Sequence, residues 1–296
     1  LSEVVPDYET DKKKLGKLVA QTIEKLRSAS RPVLYAGHGI RLSGAYKEFQ
    51  ELVDLLKIPV LTSYVGYDML PSSHPYFFGR AHSFGQRAAN FIIQNSDVLL
   101  VIGARLDVLT TGFTYKAFAR EAYTVMVDID KKELHKKTLS IDLPINYDAK
   151  EFIKEMLRQL RSKPLKKNIT DWLTYGRRLN KKYPNVAPEF WKEKKYVNPY
   201  CFIETIGKYL KPGELIVESD GVGPLNCMYQ AFPVKKNQRI ILNLGLAQMG
   251  YGLPAAIGVS FANPGKRVIC FEGDGSLQLN IHELQTMKHH NLPIKL

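Results

Sequence analysis

The sequence predicts two α/β domains, each a doubly wound parallel sheet covered by helices on both faces. Three observations carry this reading. Short apolar runs bounded by turn residues recur along the chain, amphipathic helical stretches separate them, and the runs are apolar at consecutive rather than alternate positions. Strands that are apolar on both faces and alternate with helices mark a buried parallel sheet. A length of 296 residues suffices for about two domains, each with its own core.

Residues 1–11 are polar and irregular and read as an incoming linker. Leu15, Leu18, Val19, Ile23 and Leu26 then fall at helical spacing. Apolar strand runs follow at Val33–Gly37, Pro59–Ser63, Asp97–Gly103 and Thr124–Asp130, with a weaker one at Leu143–Tyr147. Between and after them stand the helical stretches AYKEFQELVDLLK, QRAANFIIQN and AKEFIKEMLRQL. This is the first α/β domain, residues 12–162.

The next segment is basic. From Arg161 to Tyr196 there are 11 Lys or Arg against 3 Asp or Glu, which is +8 of the chain's net +13. The stretch also holds three of the 16 prolines and lacks a clean helical or strand period, so residues 163–196 read as a solvated connector. Because the charge is concentrated there, it gives little support to nucleic-acid binding.

The alternation resumes over residues 197–296, the second domain. A helix over NPYCFIETIGKYL leads to strands at Glu214–Ser219 and Arg239–Leu242. A glycine-rich segment, NLGLAQMGYGLPAAIG, runs into a helix, followed by strand Arg267–Glu272, the turn GDGS, a helix through Glu283–His290 and a last strand opening at Pro293–Leu296. That final strand is short, so the second domain is expected to be incomplete at its carboxyl end. Cys201, Cys227 and Cys270 lie far apart without CxxC pairing, which argues against a disulfide scaffold or zinc site and for a reducing, cytoplasmic setting. No apolar run approaches the roughly 18 residues of a membrane span, and no membrane association is expected.

The strongest local signal for chemistry is Gly273-Asp274-Gly275-Ser276, at the carboxyl end of one apolar strand and before a helix. Ligands of open α/β sheets bind beyond the carboxyl ends of the strands. Glycines let backbone N–H groups approach a phosphate, and a single carboxylate such as Asp274 holds Mg²⁺ together with phosphate oxygens. An Asp-Gly turn without a ligand is the plainer reading of GDG alone. Ser63 and Ser276 have no nearby His/Asp arrangement, and His282, His289 and His290 lack a partner carboxylate at metal-ligand spacing.

GDGS is accompanied upstream by Gly245-Leu246-Ala247-Gln248-Met249-Gly250-Tyr251-Gly252-Leu253-Pro254-Ala255-Ala256-Ile257-Gly258, and downstream by Asn280 and Glu283 within LQLNIHELQ. Together these residues resemble the diphosphate-binding domain of the thiamine-diphosphate-dependent acetolactate synthase family. RPVLYAGHGI, LLKIPVLTSYVG, NSDVLLVIGARLD, VDIDKKEL and YDAKEF are similar, in order, to the family's middle domain, so the resemblance covers nearly the whole chain.

The resemblance implies a set of roles. Asp274 would ligate Mg²⁺, and Gly273, Gly275, Ser276, Gly245, Gly221 and Val222 would line the thiamine diphosphate site. Met249 matches the large apolar residue that props the cofactor into a bent shape, while Asn280 is expected to be a helix neighbour. FAD is a possible second cofactor, through Gly37, Gly39, Gly85, Gly103, Ala104, Arg105, Asp128 and Asp148. Leu109 stands where the family has a second Arg, and, aligned without gaps from Asp220 on the family's Asp-Val-Gly-Gln-His run, this chain reads Gly221-Val222-Gly223-Pro224, without the usual Gln and His. Both departures put details of ligand handling in doubt.

The resemblance further implies a pyrimidine-binding domain ahead of this chain. That domain carries the catalytic Glu, so no catalytic residue is assigned here and these residues alone are expected to be inactive. The implied whole is a homodimer or tetramer that decarboxylates a 2-oxo acid such as pyruvate and transfers the acyl unit to a second carbonyl. A related carboligase or decarboxylase with another substrate, for instance in a sugar-nucleotide pathway, is an alternative. A non-catalytic nucleotide-binding or regulatory module is another.

Overall fold

Asp11 starts the first helix, its carboxylate accepting from the backbone N–H of Lys13 at 2.8 Å and of Lys14 at 3.2 Å. The computed structural model describes residues 7–219, 226–243 and 245–296. Helix α1 (Lys12–Ser28) buries Leu15, Val19, Ile23 and Leu26, the stripe that its spacing predicts. The chain divides into two compact units, Leu1–Met69 with Pro75–Tyr183, and Leu70–His74 with Pro184–Leu296.

The first unit is built on a six-stranded sheet: β1 (Pro32–Ala36), β2 (Val60–Thr62), β3 (Phe77–Arg80), β4 (Val98–Ile102), β5 (Tyr123–Val127) and β6 (Leu143–Ile145). The order is β3-β2-β1-β4-β5-β6 and every pairing is parallel. All five residues of β1 and of β4 are buried, as a sheet covered on both faces requires. The connections carry α2 (Gly39–Leu42), α3 (Tyr46–Leu56), α4 (Arg87–Gln94), α5 (Val108–Thr111), α6 (Lys131–Leu134) and α7 (Ala149–Ser162). Each strand expected from sequence is present. The added edge strand β3 escaped because Gly79, at φ +117°, breaks its apolar run and the register shifts beside it between Val60 and Leu61.

Residues 163–196 differ from the expected connector. Thr170–Lys182 forms a helix, α8, that belongs to the first unit and packs against α4 and β3. Its buried face is only Trp172, Gly176 and Leu179, while Arg177, Arg178, Lys181 and Lys182 face solvent. A glycine in the middle of so narrow a stripe hides the helical period. The Trp172 indole N–H donates to Pro32 O at 3.1 Å and anchors the helix.

The second unit holds α9 (Pro199–Tyr209), β7 (Leu215–Glu218), α10 (Met228–Ala231), β8 (Arg239–Leu242), α11 (Gly252–Ala262), β9 (Val268–Phe271), α12 (Asp274–Gln278), α13 (Glu283–His289) and β10 (Ile294–Lys295). Its four-stranded sheet is parallel in the order β10-β9-β7-β8. Leu215, Val217, Leu253, Ala256, Val268 and Cys270 form the core between sheet and α11. Ser72 is drawn into this unit through paired bonds with Val234, N–H to O at 2.8 Å and N–H to Oγ at 2.9 Å. Among the described residues no helix is long and apolar enough to cross a membrane.

The close seat of α8 is testable. A β-carbon on Gly176 would lie 2.5 Å from Phe78 Cε1 and 3.3 Å from Ile92 Cδ1. Phe78 is itself buried and cannot swing aside. Gly176→Val should therefore cost about 1–3 kcal/mol, as overpacking does. Urea unfolding followed by tryptophan fluorescence reads this, with exposed Thr174→Val as a control near zero.

Candidate functional site

The order β10-β9-β7-β8 fixes where the second unit can bind a ligand. The chain leaves β7 on one side for β8 and returns on the other for β9, so the carboxyl ends of β7 and β9 are neighbours at a topological switch point. Glu218 is paired in register with Phe271, and Ser219 N–H donates to Phe271 O at 3.0 Å. Directly beyond β9 come Glu272 and Gly273, then α12, which places Gly273–Ser276 at that crevice. Gly221 and Val222, and the departure from the family at Gly221–Pro224, lie outside the described residues.

The Asp274 carboxylate is exposed at the start of α12 and accepts from Gly275 N–H at 2.9 Å. No other bond to that side chain is found among the described residues. The Met249 side chain approaches from the facing segment, its Cε 3.5 Å from the place a Gly275 β-carbon would occupy. Gly245 is exposed, and among the described residues nothing lies within 4 Å of the place its β-carbon would occupy. Ser276 is buried; its hydroxyl accepts from Gly250 N–H at 2.7 Å and donates to Glu272 Oε1 at 2.5 Å. The Asn280 amide donates to Gly250 O at 2.6 Å.

These residues fit a metal-bound diphosphate. An exposed carboxylate flanked by glycine backbone is the protein's usual share of a Mg²⁺ site, the phosphate oxygens and water completing it. Among the described residues no group of three or more His, Cys, Asp or Glu could cage a metal without such a ligand. Sequence reasoning missed Glu272 and the part played by Asn280. The available signal was a carboxylate directly after an apolar strand, where burial is costly without partners. Burial pushes the neighbouring Cys270 thiol up to about 12, with the Glu272 charge adding to the shift.

The first unit has its own switch point, between β1 and β4. Gly37, Gly39, Gly103 and Ala104 converge there, but their closeness is to each other. A β-carbon on Gly37 would lie 2.0 Å from Gly103 O, and one on Gly39 would lie 2.8 Å from Gly103 Cα. A β-carbon on Gly85 would lie 2.5 Å from Arg80 O. The Arg105 guanidinium is taken by Glu133 at 2.5 and 2.8 Å. Asp128 accepts from Asp130 N–H at 2.9 Å, its carboxyl pushed up chiefly by burial. Asp148 caps α7 through Lys150 N–H at 2.8 Å and Glu151 N–H at 3.4 Å. Of the positions assigned to a flavin, none carries a buried side-chain atom without a partner. The set shows no orphaned polar group that calls for a flavin, and no reaction step is drawn through that group.

Residues 19–156 match the central domain of thiamine pyrophosphate enzymes, and residues 221–296 match their C-terminal TPP binding domain. A probable acetolactate synthase large subunit from Methanococcus aeolicus is 33% identical over 290 residues, covering 93% of this chain and 47% of the relative. The acetolactate synthase isozyme 3 large subunit of Escherichia coli (strain K12) is 32% identical over 278 residues, covering 93% and 48%. An acetolactate synthase large subunit from Porphyra purpurea is 32% identical over 280 residues, covering 94% and 46%. The chain spans about half the length of the curated relatives it matches.

The electrostatics of the first unit yield a pH prediction. His82 is buried just beyond β3, and burial pushes its imidazole from 6.5 down to about 4, with Asp107 opposing the shift. The folded state holds it neutral over a range where the unfolded chain is protonated, so stability is intact above about pH 6.5 and falls as pH drops toward 4. The loss should be on the order of 2–4 kcal/mol. Urea midpoints at pH 7.5 and 4.5 measure it, and His82→Asn should flatten the dependence. An equal slope in that variant contradicts the assignment.

Proposed function

We propose, from the premise that the chain belongs to the thiamine pyrophosphate enzyme family, that the protein carrying it is a thiamine-diphosphate- and Mg²⁺-dependent carboligase of the acetolactate synthase kind. The observation that supports this best is the meeting of Met249 with the Asp274–Ser276 turn at the β7/β9 crevice. When bound, thiamine diphosphate supplies the electron sink for decarboxylating a 2-oxo acid such as pyruvate and passing its acyl unit to a second carbonyl. In this reading Asp274 holds the metal, and the backbone of Gly273, Gly275 and Ser276 faces the diphosphate. Met249 bears on the ring portion of the cofactor. The chain's own contribution is binding and orientation.

A second reading keeps the cofactor and changes the acceptor carbonyl. Gly223-Pro224, where the family's Asp-Val-Gly-Gln-His run aligned from Asp220 has Gln-His, favours it. The cysteines Cys201, Cys227 and Cys270 are buried and free, which supports a reducing, cytoplasmic setting for either reading.

Two outcomes test the proposal. In the full-length protein, Asp274→Ala should lower Mg²⁺-dependent affinity for thiamine diphosphate roughly 10- to 1000-fold, the scale of one lost charge-assisted contact of about 1.5–4 kcal/mol. Unchanged binding by calorimetry contradicts the metal assignment. The second outcome concerns assembly. Beside the site, Leu246 is 84%, Leu279 58% and Met249 52% exposed. An apolar surface of this kind on a soluble protein is usually covered, and a second copy of the chain is the proposed cover. Sedimentation at micromolar concentration should show a dimer or tetramer, whereas a monomer that binds the cofactor tightly contradicts the assembly.

A further inference from the structure

The segment that carries Met249 has no regular secondary structure, yet a side chain can serve as a rigid prop only where its backbone is held. The hold is visible one residue along. Gly250 has both of its backbone polar groups tied to side chains of the α12 region: its N–H donates to Ser276 Oγ at 2.7 Å, and its carbonyl accepts from Asn280 Nδ2 at 2.6 Å. Ser276 is oriented in turn by Glu272, whose Oε1 accepts a hydrogen bond from the Ser276 hydroxyl. The other Glu272 oxygen is buried without a hydrogen-bond partner among the described residues.

Both glycines of the Gly250-Tyr251-Gly252 triplet are shaped to this arrangement. Gly250 sits at φ +83°, and a β-carbon there would lie 2.7 Å from the Asn280 amide nitrogen. At Gly252 a β-carbon would lie 2.0 Å from Glu272 Oε2, so the carboxylate occupies the space a side chain would need. An α-left-handed backbone favours glycine, but the crowding adds a second reason that belongs to these two side chains. The glycines are seats for an amide and a carboxylate.

We infer that Glu272, Ser276 and Asn280 form a clamp on the Gly250 peptide that sets where Met249 stands against Gly275. Glu272 and Asn280 are then positioning residues for the ring portion of the cofactor and make no contact with its diphosphate. The inference rests on the cofactor reading above and names residues that the reading itself does not use. A sound clamp affects only ligands that reach Met249, because the Asp274–Ser276 backbone binds the diphosphate without it.

The experiment compares two probes on the full-length protein by calorimetry with Mg²⁺ present: thiamine diphosphate, and inorganic pyrophosphate, which has no ring to prop. Asn280→Ala and Glu272→Ala should each weaken thiamine diphosphate about 10-fold or more, the effect of roughly 1.4 kcal/mol, and leave pyrophosphate within about 2-fold. Glu272→Gln keeps an acceptor for Ser276 and should restore most of the loss. Met249→Ala should show the same selective loss, and adding Asn280→Ala to it should cost little more, because the two act through one element. Equal weakening of both probes, no weakening of either, or fully additive losses in the double variant overturns the clamp alone. A wild-type protein that binds neither probe overturns the cofactor reading and the clamp with it.

Discussion

A parallel sheet buried on both faces leaves only the ends of its strands for chemistry, and both units obey this constraint. The strand interiors are consumed by packing: every residue of β1, β4, β7 and β9 is buried. What remains is the row of loops beyond the carboxyl ends, and strand order decides which loops meet. In the second unit β7 and β9 are neighbours while β8 lies outside, so the turn after β9 faces the crevice.

The two switch points use close backbone approach to different ends. In the first unit Gly37, Gly39 and Gly103 pack against one another, so their lack of side chains serves the fold itself. In the second, Gly250 and Gly252 make room for Asn280 and Glu272, and the contacts tie one loop to the next. The same residue type thus serves backbone packing in one unit and makes room for side chains in the other. Without measured contacts, a glycine-rich turn does not reveal which of these it does.

Much of this was legible in the sequence. Continuous apolar runs marked every strand except β3, where Gly79 interrupts the pattern at an edge. Helix α8 was hidden because its exposed cationic side chains dominate the composition, while its buried face is two large residues and a glycine. Of the site, Asp274 and Met249 were readable from the resemblance, and the Met249 side chain lies beside Gly275. Glu272 and Asn280 were not readable as a clamp, since their partners are backbone groups of Gly250 and the empty space at Gly252. Contacts of that kind leave no mark on residue type at the distant position. Of the positions that the resemblance gives to a flavin, Arg105 pairs with Glu133 and Asp148 caps α7, roles that residue type alone does not reveal.

The central claim is that the β7/β9 crevice holds a metal-bound diphosphate. A structure of the full-length protein determined with thiamine diphosphate and Mg²⁺ tests it most directly. The account predicts the diphosphate against the backbone of Gly273–Ser276, with the metal about 2.0–2.1 Å from an Asp274 carboxylate oxygen. A cofactor bound elsewhere, or a metal that does not touch Asp274, would contradict it.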